Sequence, residues 1–109
     1  MTNKAEKPQD WTDRREEELC EALLQLKSAK DAHRFLVDLC TPAEIRAMAD
    51  RWKVARMLAA DISYRKIQEQ TGVSTATVTR VARALTAGDG GYRKVLEKIG
   101  KYKEEKANA

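Results

Sequence analysis

The chain has 109 residues, 42% hydrophobic and 35% charged, with only five Gly and two Pro. A chain of this length makes one domain with a modest core, with polar tails at most, and so few breakers imply long helices; no stretch reads as a strand. The N-terminus is polar without an apolar leader, and no run approaches a membrane span, so a cytoplasmic protein with no membrane association is expected. Cys20 and Cys40 stand far apart with only His33 as a further soft ligand, which supports neither a metal site nor a disulfide framework and suggests reduced, half-buried thiols. Net charge is +4, unevenly spread: residues 1–20 carry four basic and six acidic side chains, whereas residues 41–85 carry eight basic and four acidic.

In chain order, residues 1–10 read as a flexible polar segment, 11–99 as a folded domain and 100–109 as a charged Lys/Glu tail. From Trp11 to about Lys27, Trp11, Leu19, Ala22, Leu23 and Leu26 recur at helical spacing opposite Arg14, Arg15 and Glu16 to Glu18. A second helix spans 28–40 from a cap at Ser28 or Asp31, with Ala32, Phe35, Leu36 and Leu39 on its apolar face. The strongest helix start is Thr41-Pro42-Ala43-Glu44, a capping threonine, proline at the first helical position and glutamate at the third. The helix it opens runs to about Ala60. Its apolar set (Ile45, Met48, Ala49, Trp52, Ala55, Met57, Leu58) is broad enough to suggest cover from more than one side, a second subunit included.

Ile62 to Val81 then reads as helix, turn and helix. Ser63 can cap a short first helix, Gly72 can end it in the left-handed conformation, and Ser74 can cap the second. Ile67, Val73, Val78 and Val81 are spaced to form one apolar seam between the two. The outer face of the second helix holds Thr75, Ala76, Thr77 and Thr79 with Arg80 alongside, small hydroxyl and methyl groups suited to base edges in a major groove. Small residues of this kind also suit a close helix crossing, and such units serve as interaction modules, so the motif alone leaves both readings open. The second helix continues to Leu85 and stops at Ala87-Gly88-Asp89-Gly90-Gly91, which lacks the pattern of a phosphate-binding loop. Tyr92 to about Ile99 forms a last helix with Tyr92, Val95, Leu96 and Ile99 apolar.

The Leu39-Cys40-Thr41-Pro42-Ala43-Glu44 start, the long helix with Arg51, and the following Gly72 and Thr77-Val78-Thr79-Arg80 together resemble the Trp repressor superfamily, and more closely its YerC/YecD-type branch. The resemblance covers roughly residues 12–98. It implies an all-α, six-helix fold with a helix-turn-helix, built as an intertwined homodimer whose two readers face a palindromic site on double-stranded DNA. By position, it assigns DNA contacts to Arg65 and Gln68 on the first motif helix and to Thr75, Ala76, Thr77 and Thr79 on the second; Gln68 stands where the repressor has lysine. It maps a ligand pocket onto Thr41, Arg51 and Arg80, but Val81 replaces the repressor's glycine and Ala84 its serine. Losing one polar contact in a buried site costs about 1–3 kcal/mol, so tight tryptophan binding is not expected, while another small-molecule corepressor stays open.

These readings converge on a homodimeric, sequence-specific transcriptional regulator, with Arg65, Lys66 and Arg56 meeting phosphates and the recognition-helix threonines reading bases. The alternative is an all-α dimeric interaction module that uses the same unit for a protein partner. One histidine and scattered carboxylates give no acid–base pair fixed by spacing, so no enzymatic activity and no cofactor are expected.

Overall fold

The structure is a computed structural model, which describes residues 14–100. The expectations for residues 1–10, Trp11 and the Lys/Glu tail therefore lie outside the described residues. Six helices and no strand are present among those described, and the chain divides between Thr41 and Pro42 into two compact units.

The first unit contains α1 (Arg14–Leu23) and α2 (Ala29–Leu39). Glu16 and Glu17 in the first turn of α1 oppose the positive end of the helix dipole. The helix stops at Leu23 rather than continuing to Lys27. Its last bonds shorten to i→i−3, Gln25 N–H to Ala22 O (3.0 Å) and Leu26 N–H to Leu23 O (3.2 Å), a tightening that commonly ends a helix. Ser28 then starts α2 by accepting the Asp31 amide at 3.0 Å. Neither helix holds a buried residue, and Leu19, Leu23, Val37 and Leu39 remain exposed. Both cysteines are free; Cys20 is exposed instead of half-buried as expected, because α1 buries none of its residues within this unit, whereas Cys40 is half-buried.

The second unit is built on α3 (Pro42–Ala59), which packs against α4 (Tyr64–Thr71) and α5 (Thr75–Ala87), with α6 (Gly91–Ile99) against α5. Pro42 opens α3, where its missing N–H costs no helical bond. The far end closes in a Schellman arrangement: Ile62 N–H reaches Met57 O and Asp61 N–H reaches Leu58 O, both at 3.0 Å, while Asp61 takes φ +64°. Aspartate is among the few residues that enter the left-handed region at modest cost. The turn delivers Ile62 against the core and Ser63 to the start of α4.

The core gathers Val54, Ala55 and Met57 from α3, Ile67 from α4, Val78, Val81 and Leu85 from α5 and Leu96 from α6. Fully burying such an aliphatic side chain contributes about 1.5–3 kcal/mol. Val54 is absent from the sequence-based apolar set yet has no exposed surface. In α6 only Leu96 is buried; Val95 and Ile99 are exposed, and Tyr92 stacks on Trp52 with ring centroids 6.2 Å apart at 24°. The Arg93 Nε–H donates to Leu85 O at 2.9 Å and so ties α6 to the end of α5.

Candidate nucleic-acid interface

The α4–turn–α5 unit has the three junctions its sequence demands. Ser63 Oγ accepts the Lys66 amide at 3.2 Å, Gly72 ends α4 at φ +76° with its N–H on Gln68 O, and Ser74 Oγ accepts the Thr77 amide at 3.1 Å. Thr71 adds a local brace, its hydroxyl donating to Ile67 O and accepting from Val73 N–H. Ile67, Val78 and Val81 are buried and Val73 packs beside them, so the seam read from spacing is realised.

At about 100° per residue, Val78, Val81 and Leu85 occupy one narrow side of α5. Ala76, Thr79, Arg80 and Arg83 lie on the opposite side with Thr75 on its flank, and all five are exposed, while Thr77 is half-buried at the other edge. Burial of one stripe thus presents the hydroxyl and guanidinium face outward. On α4, Arg65 and Lys66 are exposed and Gln68 is half-buried; Arg56 on α3 is half-buried. Arg65 Nε lies 3.6 Å from Glu69 Oε2, with the side chains 89% and 63% exposed, a pairing worth little in water.

Two further bonds organise this face and were not foreseen. Gln68 Nε2–H donates to Thr75 Oγ1 at 2.8 Å across the turn, and the Ser74 hydroxyl donates to Thr77 Oγ1 at 3.0 Å. The residues are seven apart in one case and depend on the turn angle, so no sequence period announces them. The i,i+3 spacing of Ser74 and Thr77 is the one local hint.

The residues mapped to a ligand pocket differ in exposure. Val81 is 1% exposed and belongs to the core. Ala84 and Arg51 are half-buried and Arg80 is exposed, while Thr41 ends the first unit as an exposed residue. A cleft of about 440 Å³ lies elsewhere, between Leu58 and Ala59 of α3, Tyr64 at the start of α4, Leu85 of α5 and Leu96 of α6, and none of the five residues lines it. Among the described residues no three His, Cys, Asp or Glu side chains are grouped to hold a metal ion, and no helix is long and apolar enough to cross a membrane.

Comparison with known proteins identifies the family of this fold. The profile of the Trp repressor protein family matches residues 15–100. The chain is 39% identical over 92 residues to the uncharacterized protein YerC of Bacillus subtilis, covering 84% of this chain and 88% of that protein. It is 33% identical over 88 residues to a Trp operon repressor homolog of Chlamydia trachomatis, covering 76% of this chain and 94% of that one. The crystal structure of a TrpR-like protein from Eubacterium eligens superposes with a TM-score of 0.76 at 42% identity, covering 82% of this chain and 92% of that chain. Proteins of this family are regulators rather than enzymes, which points to a DNA-binding regulator. The chain belongs to the Trp repressor superfamily, in its YerC-type branch, and carries that family's all-α fold.

Proposed function

We propose that the protein is a homodimeric, sequence-specific DNA-binding transcriptional regulator, most simply a repressor, in which α4, the turn and α5 act as a helix-turn-helix. The observation that carries this reading is the two-sided character of α5: a buried valine–leucine stripe holds it rigidly, and the exposed side offers Thr75, Ala76 and Thr79, with Thr77 half-buried at its edge. Hydroxyls meet base acceptors and donors, and methyl groups meet the thymine methyl. Arg65, Lys66 and Arg56 supply sequence-independent attraction to phosphates.

Dimerisation is supported by the apolar surface a single chain leaves uncovered, Leu19, Leu23, Val37, Leu39, Val95 and Ile99. Two such readers related by a two-fold axis call for a palindromic site with half-sites about one helical turn apart. Tryptophan is not the effector in this reading. Val81 fills core space with a side chain where the repressor has glycine, and Ala84 offers no hydroxyl to a ligand ammonium.

The test is fluorescence-polarisation binding to specific and random duplexes across a salt series. Thr77→Ala should weaken specific binding by about 3- to 10-fold, the worth of one hydrogen bond, and leave random-duplex binding unchanged. Affinity should fall linearly in log–log form with salt. Equal losses on both duplexes refute the recognition role of α5, and salt-independent binding refutes the phosphate contacts.

A further inference from the structure

The two side-chain bonds on the α5 face have a consequence for which bases it selects. A glutamine amide nitrogen can only donate, so at 2.8 Å it makes Thr75 Oγ1 an acceptor. Ser74 Oγ accepts the Thr77 amide, and its own hydroxyl donates to Thr77 Oγ1 at 3.0 Å. Each threonine hydroxyl has a single proton, and in both cases that proton is left for an outside partner. A hydroxyl that accepts one bond is polarised into a better donor. The Thr79 hydroxyl makes no such side-chain bond among the described residues, so no neighbour sets its polarity.

We infer that Gln68 is a positioning residue that fixes the polarity of the reading face: with Gln68 on Thr75 and Ser74 on Thr77, both hydroxyls act as donors and select base edges that accept. In the major groove these are guanine O6 and N7, thymine O4 and adenine N7. Cytosine, which offers only its N4 amino group there, is rejected at the position facing Thr75. The inference rests on the proposed DNA reading and deepens it. It assigns Gln68 an action through Thr75 in place of a contact of its own.

The test uses the full chain and a random duplex pool, reading the four-base preference at each position of the enriched site. The wild-type protein should disfavour cytosine by about 3- to 10-fold at one half-site position, and Thr75→Val, which removes the hydroxyl while keeping its shape, should abolish that discrimination there. Gln68→Glu presents only acceptors to Thr75, so the threonine proton turns inward and a lone pair faces the base; preference should move toward cytosine and the adenine amino group at that position alone. Comparing duplexes of equal length cancels the added negative charge. Gln68→Leu removes the donor without charge and should flatten the preference, which keeps the test open if the glutamate variant does not fold by circular dichroism. Thr79→Val should change a different position, whose preference Gln68 variants leave intact. A folded Gln68→Glu or Gln68→Leu protein with the wild-type preference at the Thr75 position overturns the inference. Failure of the wild-type protein to enrich any sequence overturns instead the DNA reading on which it stands.

Discussion

Gly72 is the hinge on which the α4–α5 angle depends, and its replacement by alanine isolates a single physical effect. The residue sits at φ +76°, and a Cβ built there meets nothing within 4 Å. No clash contributes, so the cost is conformational alone. An L-residue in the left-handed region costs about 1–2 kcal/mol, and alanine recovers about 0.4–1 kcal/mol by restricting the unfolded chain. The net is a destabilisation of about 1 kcal/mol, roughly a fivefold rise in the unfolding constant and a fall of about 4–8 °C in Tm for a domain of this size. Gly72→Asn should lose no more than about half of this, since asparagine tolerates the left-handed region. Gly88 provides the contrast. Its φ is −89°, yet a Cβ there would lie 2.5 Å from Ala84 O, so Gly88→Ala is destabilised by collision and asparagine gives no rescue. Urea unfolding followed by far-UV circular dichroism, at matched protomer concentration because association shifts apparent stability, separates the two cases. Gly72→Ala as stable as the wild-type protein, or asparagine worse than alanine at that position, would refute the reasoning.

Further outcomes follow from the same geometry. Ile67→Ala, at a position with no exposed surface, should cost about 2–5 kcal/mol in urea unfolding, and a loss under about 0.5 kcal/mol contradicts the seam between α4 and α5. Ser74→Ala removes both the cap of α5 and the donor to Thr77, and should cost about 1 kcal/mol by the same measurement; no change would mean the amide is satisfied elsewhere. Leu39→Asp, at a site 52% exposed in one chain, should shift sedimentation equilibrium from dimer toward monomer; an unchanged dimer shows that this surface is not the interface. Equilibrium dialysis with millimolar tryptophan should detect no saturable binding, and a saturable site would mean that Val81 and Ala84 leave the pocket open.

The second unit was largely legible in the sequence because its punctuation is local. Ser63, Gly72 and Ser74 act on amides three or four residues away, and the Ile67–Val78–Val81 seam follows from helical periods. Val54 was missed although it falls three before Met57 and four before Leu58. Its neighbours Lys53 and Arg56 mark the wet side, and a helix apolar on more than one side blurs its own stripe. The end of α1 was over-extended because Leu26 keeps the helical spacing beyond the point where the bonds tighten. The Gln68–Thr75 bridge and the cleft beside Tyr64 were out of reach, since each depends on the angle between helices.

The most direct test of the central claim is selection from a random duplex pool by the full chain, performed at low and at near-physiological salt and sequenced. The account predicts one palindromic motif with half-sites about 10–10.5 base pairs apart, retained at the higher salt and less strongly enriched by Thr77→Ala while weak non-specific binding persists. Binding that enriches no sequence and vanishes at the higher salt would contradict it, leaving α5 as a face for a protein partner.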